Sequence, residues 1–202
     1  LASPNATLRR RSIDATIGEL TRAAQLGIPW VVAHPGAYTT GTEASGLKKI
    51  AQALDEILSR TASLSVGCLL ETTAGQGTVL GWRFEHLATI LAGVKDATRL
   101  GVCFDTCHVF AAGYPMATES QYRATMRRFD QTVGLARIRG FHLNDSVLPC
   151  GSRIDRHTHI GHGQIGLDAF RRLLRDRRFR DVPMILETPK SLPEPPRKAH
   201  PQ

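Results

Sequence analysis

"RLGVCFDTCH" (residues 99–108) begins as a short apolar run and ends in a carboxylate and an imidazole, Asp105 and His108, three positions apart. A few apolar residues closed by turn-forming ones read as a strand, and near-continuous apolarity, without alternation, marks one covered on both faces. A carboxylate or imidazole at the end of such a strand is costly to hold unless something pairs with it. The pattern recurs on both sides of this stretch. "PWVVAHPG" (29–36), "VGCLLETTAG" (66–75), "IRGFHLND" (138–145) and "VPMILETP" (182–189) each run from apolar residues into His, Asp or Glu and then into turn residues.

Helical patterns fill the intervals: "RRRSIDATIGELTRAAQLG" (9–27), "GLKKIAQALDEILSRT" (46–61), "RFEHLATILAGV" (83–94), "TESQYRATMRRFDQTVG" (118–134) and "GLDAFRRLLRDRRF" (166–179). In the second, Leu47, Ile50, Ala51, Leu54, Ile57 and Leu58 recur at helical spacing and give one apolar face. Gly27 and Gly134 stand where helix-ending glycines belong. Strands alternating with helices predict an α/β fold with parallel strands, and the repeat suggests a (β/α)₈ barrel. The strands are too few: five are clear, and "GSRIDRHTHIGHGQ" (151–164) offers a possible sixth. Residues 1–188 read as one barrel-type domain, and the proline-rich stretch 189–202 as a disordered tail.

Lys and Arg number 26 against 18 Asp and Glu, a formal charge of +8. The excess is mostly arginine, in the run Arg9–Arg11 and in "RRLLRDRRFR" (171–180). Such a balance favours polyanionic partners, although either run alone also fits a solvated helix face. No apolar stretch reaches the ~18–20 residues of a membrane span, and no secretory signal opens the chain, so the reading is cytoplasmic with no membrane partner. Cys68, Cys103, Cys107 and Cys150 form no CxxC pair and read as reduced thiols; Cys107, beside His108, fits either a packed thiol or a metal ligand.

All strands of a parallel barrel end on one face, so His34, Glu71, Asp105, His108, His142, Asp155, His157 and Glu187 are expected to converge on one mouth. Nitrogen and oxygen donors of this kind suit Zn²⁺ or a similar divalent ion, and eight are too many for one tetrahedral ion. Closely spaced metals suit phosphoryl transfer, and with a basic chain they point to hydrolysis of nucleic-acid phosphodiesters. Taken singly, each residue also fits a cap or turn role. Asp145 reads as a turn or cap residue, His86 as structural, His159 and His162 as loop residues, and His200 as part of the tail.

The motifs "ETTAGQG" (71–77), "GVCFDTCHVFAAGY" (101–114), "GFHLND" (140–145), "GSRIDRHTHIGHGQIG" (151–166) and "ILET" (185–188) closely resemble the endonuclease IV family of apurinic/apyrimidinic endonucleases, in the right order and spacing. The resemblance implies a xylose-isomerase-like TIM barrel acting as a monomer with three zinc ions. It also implies incision of double-stranded DNA 5′ to abasic sites in base-excision repair, leaving a 3′-hydroxyl and a 5′-deoxyribose phosphate. By motif, His34 and Glu71 would hold a first zinc, and Glu71 would bridge to a second held by Asp105, His142 and Glu187. His108, Asp155 and His157 would hold the third. A hydroxide between the first two ions would be the nucleophile, with Glu187 orienting or deprotonating it, and the third ion would steady the departing 3′ oxygen. Gly75, Gln76 and Gly77 resemble a DNA-contacting loop, and Arg156 a phosphate-binding arginine; a rim salt bridge is the other reading of Arg156. The family pattern also has a zinc-binding histidine and two barrel strands ahead of "LASP", so an incomplete barrel with the first two strands missing, weak in activity or solubility on its own, is expected. The competing readings are a metal-dependent sugar-phosphate isomerase or epimerase on the same barrel type and a non-catalytic binder.

Overall fold

The structure, a computed structural model, describes residues 1–188 and Lys190. The expected tail at 189–202 therefore lies, Lys190 apart, outside the described residues. Helix α1 (Ala6–Gln25) leads into β1 (Trp30–Ala33), α2 (Glu43–Arg60), β2 (Gly67–Glu71), α3 (Phe84–Gly93) and β3 (Leu100–Asp105). There follow α4 (Thr106–Ala111), α5 (Glu119–Thr132), β4 (Ile138–His142), β5 (Asp145–Ser146), β6 (His157–Thr158), α6 (Leu167–Arg175) and β7 (Met184–Ile185).

Local chemistry sets the helix ends. Asn5 caps α1 by accepting from the Leu8 N–H at 3.0 Å, and Thr118 and Gln121 form a reciprocal capping box on α5. Gly27 and Gly134 take φ of 68° and 93°, left-handed values that a side chain would disfavour where these helices give way to strands. On α2 the apolar stripe Leu47, Ile50, Ala51, Leu54 and Ile57 is buried, with Leu58 packed at its margin.

Five strands form one parallel sheet in the order β1-β2-β3-β4-β7. Strand side chains alternate between two faces. Cys68, Leu70, Val102, Phe104, Ile138 and Phe141 turn to the helices, where the rings of Phe84, Phe104, Phe129, Phe141 and Phe179 pack at centroid distances of 5.0–6.4 Å. Burying each such ring is worth about 1.5–3 kcal/mol. The opposite face carries Leu69, Glu71, Cys103, Asp105 and His142, and Gly101 and Gly140 leave room there for Leu69. Between β3 and β4 the pairing skips a residue: Val102 lies opposite Ile138, but Cys103 lies opposite Gly140. Arg139 is thus a bulge, and it brings His142 level with Asp105.

Three elements differ from the sequence reading. Asp105 ends β3 and also caps α4, so "TCHVFA" is a turn and a half of helix where the sequence suggested strand end and loop. The candidate strand in 151–164 contributes only β6, which pairs antiparallel with β5 outside the main sheet. An eight-stranded closure would therefore need three strands beyond these five. The last amphipathic segment stops at Arg175, and Arg177–Phe179 is a separate 3-10 turn.

Candidate metal centre

Parallel pairing places the carboxyl ends of adjacent strands side by side, and the acids and imidazoles stand there. Glu71 ends β2, Asp105 ends β3, His142 ends β4, His34 directly follows β1, and Glu187 lies two residues past β7. Helix α4 swings His108 back over Glu71, while β6 and the loop before it bring up His157 and Asp155. All eight expected residues thus meet in one place.

They fall into overlapping groups whose donor atoms lie within 4.8 Å of one another: His34 with Glu71 and His108; Glu71 with Asp105, His142 and Glu187; and His108 with Asp155 and His157. Glu71 joins two of them through different oxygens. Its Oε2 lies 3.1 Å from His34 Nε2, and its Oε1 lies 2.9 Å from His142 Nδ1, which is also 2.9 Å from Glu187 Oε2. His108 likewise faces two ways. Its Nδ1 is 2.8 Å from the Thr72 carbonyl and 3.3 Å from Glu71 Oε1, and its Nε2 is 3.0 Å from Asp155 Oδ2. Donation from Nδ1 to the Thr72 carbonyl fixes the ring and leaves Nε2 to meet a cation beside Asp155 and His157. A further grouping places Cys107 with Asp105 and His157. Burial raises the Cys107 thiol to about 11, so it stays protonated and packs, its Sγ 3.6 Å from the Arg156 carbonyl.

The electrostatics show how far the groups are coupled. Burial alone would raise Glu71, but hydrogen bonds from His108, His142 and His34 reverse this and hold the carboxyl well below its usual range. Hydrogen bonds from His108 and His157 do the same for Asp155. Burial raises Asp105, against the pull of His108 and His157. Desolvation would lower His108, yet Asp155, Glu71 and Asp105 push it up to about 12; His142 and His157 are raised against burial by their own carboxylate neighbours. Among the described residues, no Lys or Arg pairs with the carboxylates of Glu71, Asp105, Asp155 or Glu187, whose ion-pair partners are all imidazoles. Four carboxylates and four imidazoles with no fixed cation among them form a donor set that fits divalent metal ions.

Several supports escaped the sequence reading. Asn144, fully buried, donates to Asp105 Oδ2 at 2.6 Å and accepts from the Glu187 N–H at 3.0 Å, tying β3 to the segment after β7. Asp145 is a loop organiser, in keeping with a turn role, and accepts from the N–H groups of Ser146, Gly161, Gly163 and Ile165. Arg153, at φ 56°, donates to the Gly75 carbonyl at 3.2 Å and lies 4.0 Å over the Trp82 ring. It links the 72–77 loop to the loop of Asp155. The position of Asn144 in "HLND" was a visible signal, whereas Arg153 carried none.

Gly75 and Gly77 take φ of 81° and 60°; a Cβ at Gly75 would strike Trp82, while the space beside Gly77 is open. The Gln76 side-chain Oε1 accepts from the Asp155 N–H at 3.4 Å. With His34, His108 and Asp155, this loop lines a cleft of about 320 Å³. Arg156 is exposed and donates to the Asp155 carbonyl at 2.7 Å, without the rim salt bridge among the described residues. His86 is buried and its Nδ1 accepts from the Gly81 N–H, a structural role as expected; His159 and His162 lie in the loop that Asp145 organises.

Strand-end carboxylates and imidazoles on a parallel sheet define a metal-binding α/β barrel, and a family model described as "xylose isomerase-like TIM barrel" matches residues 1–201. The chain is 52% identical over 190 residues to a protein named probable endonuclease 4 from Chloroflexus aurantiacus, covering 94% of this chain and 67% of that protein. It superposes on endonuclease IV from Thermus thermophilus with a TM-score of 0.80 at 36% identity, covering 94% of this chain and 66% of the other. The chain belongs to the endonuclease IV family of apurinic/apyrimidinic endonucleases. It spans about two thirds of the length of these relatives. A D-tagatose 3-epimerase-like protein, 23% identical at a TM-score of 0.72 over 92% of this chain and 65% of that one, shares the fold.

Proposed function

We propose that the strand-end cluster is the metal centre of a phosphodiesterase that incises double-stranded DNA on the 5′ side of abasic sites, leaving a 3′-hydroxyl and a 5′-deoxyribose phosphate. The observation that carries this reading is the convergence of four carboxylates and four imidazoles, with no Lys or Arg ion-paired to those carboxylates among the described residues. His34 and Glu71 would hold one zinc ion, Glu71, Asp105, His142 and Glu187 a second, and His108, Asp155 and His157 a third. Bound zinc supplies a nucleophile at neutral pH and neutralises charge on the phosphate and the leaving oxygen.

The chain's own residues set the geometry. Glu71 is suited to bridge because its two oxygens already face different groups. Glu187, anchored through its N–H to Asn144, presents a carboxylate 2.9 Å from His142 and can accept a proton from the attacking water. Gly75 and Gln76 line the cleft, with Gly77 next along the loop, and would let the backbone approach DNA closely, and the exposed guanidinium of Arg156 can grip a phosphate beside the His157 group. The reading is of a monomer in the cytoplasm, a reducing setting that suits the free thiols Cys68, Cys103, Cys107 and Cys150.

The test is an oligonucleotide duplex with a single abasic site. Cutting on its 5′ side, abolished by EDTA and restored by Zn²⁺, is expected. Cutting unaffected by chelation, or absent when the three groups are loaded with zinc, would overturn the proposal.

A further inference from the structure

Apart from the strand-end cluster, a groove of about 660 Å³ runs between α5, α6 and the 3-10 turn after it. Arg123, Arg127, Arg172, Arg175, Arg177 and Arg178 line it, against two carboxylates, Glu119 and Asp176. Spacings of four on α5 and three on α6 put Arg123 with Arg127, and Arg172 with Arg175, on single helix faces. The two carboxylates are already engaged. Glu119 pairs with Arg123 at 2.6 Å, while Asp176 pairs with Arg178 at 2.5 Å and accepts from the Tyr122 hydroxyl at 2.8 Å. Arg172 donates to the Ala117 carbonyl at 2.7 Å. Among the described residues, Arg127, Arg175 and Arg177 have no ion-pair partner, and all three are exposed.

Like charges gathered in a concavity repel one another, and nothing on the described surface of the groove offsets these three. An anion would. Planar guanidinium forks match phosphate oxygens, and several of them along a cleft between helices match a string of phosphates better than a single one. The groove shares no lining residue with the cleft beside the cluster. We propose that the α5–α6 groove is a second nucleic-acid contact that binds the phosphate backbone of duplex DNA without reading its sequence. It needs backbone affinity alone and so stands independently of the incision chemistry.

The test compares the full chain with a variant carrying Arg127→Ser, Arg175→Ser and Arg177→Ser. A control carries Arg11→Ser, Lys48→Ser and Lys95→Ser, which removes the same charge from exposed positions on other elements. Binding of an undamaged duplex of about 20 base pairs is measured across salt concentrations, where each lost phosphate contact lowers the slope of log K against log salt by about 0.9. The groove variant is expected to lose about 3 from the slope, and the control less than about 1. Equal slopes for the two variants would overturn the proposal. So would a groove variant that loses binding to phosphatidylserine vesicles but keeps the wild-type duplex slope, since the partner would then be a membrane surface. Duplex binding that depends on the groove in a chain that cuts no abasic site would sink the incision reading and leave this one standing.

Discussion

The inner and outer strands of the sheet present the same kind of ligand in different settings. β2, β3 and β4 end in Glu71, Asp105 and His142, all buried, with Asp105 fully sequestered. β1 and β7 stand at the open sides of the described sheet, and the side chains of His34 and Glu187 are 51% and 44% exposed. Inner ligands are fixed by pairing on both sides of their strand and by buried hydrogen bonds: the Asp105 N–H donates to Thr72 Oγ1, Asn144 donates to Asp105 Oδ2, and Thr106 donates to the His142 carbonyl. Outer ligands rest on one neighbouring strand: His34 meets Glu71, and Glu187 meets His142 and hangs by its N–H from Asn144. A cation centre built this way has a stiff half and an adjustable half.

The largest effect expected is from Glu71→Gln, which removes the shared charge from the stiff half. Incision of an abasic duplex should fall by more than ~100-fold, and the metal content with it, since even residues supporting metal ligands are worth 10–100-fold. His34→Asn in the adjustable half should lower zinc affinity by roughly 10–100-fold and recover with excess zinc. Equal, unrecoverable losses in both variants would erase the distinction. Next comes Asp145→Ala, which strands the N–H groups of Gly161, Gly163 and Ile165, the first two part-buried and the last buried; at 1–3 kcal/mol for each unsatisfied buried group, thermal unfolding should show a loss of about 3 kcal/mol.

A third measurement concerns protons. His108 is raised to about 12 by its carboxylates and is therefore protonated at pH 7 without metal, yet a metal ligand must be neutral. Zinc binding should release at least one proton and tighten as pH rises. Calorimetry in buffers of differing ionisation enthalpy checks this, and a buffer-independent heat would contradict it. The smallest effect expected is from Arg153→Ala, about 1 kcal/mol from a cation–π contact, with a shift in tryptophan emission as Trp82 loses its cover. Arg153→Lys should restore part of it.

Legibility in the sequence followed the same division. Glu71, Asp105 and His142 could be read because each closes an apolar run that has to be a buried strand, and the strand–helix alternation gave the parallel sheet. Helix α4 was hidden because Asp105 serves two elements at once, and the apolar residues after it continue the strand's composition. The ribbon of β5 and β6 was hidden because two-residue strands carry no periodicity. Arg153 matters through a partner distant in sequence, Trp82, which no local pattern reveals, while Asn144 is marked by its place in "HLND" but not by its bond to the distant Glu187.

The bulge at Arg139 has a last consequence. Because neighbouring side chains on a strand point opposite ways, that one surplus residue acts as a half-period phase shift, turning Gly140 and His142 inward after an outward-facing Ile138. Pairing Arg139 into the ladder as a regular strand residue would rotate the imidazole out towards the aromatic layer and turn a phenyl ring in among the acids. The composition of the chain would not change, while the centre would lose a donor and acquire an oily plug.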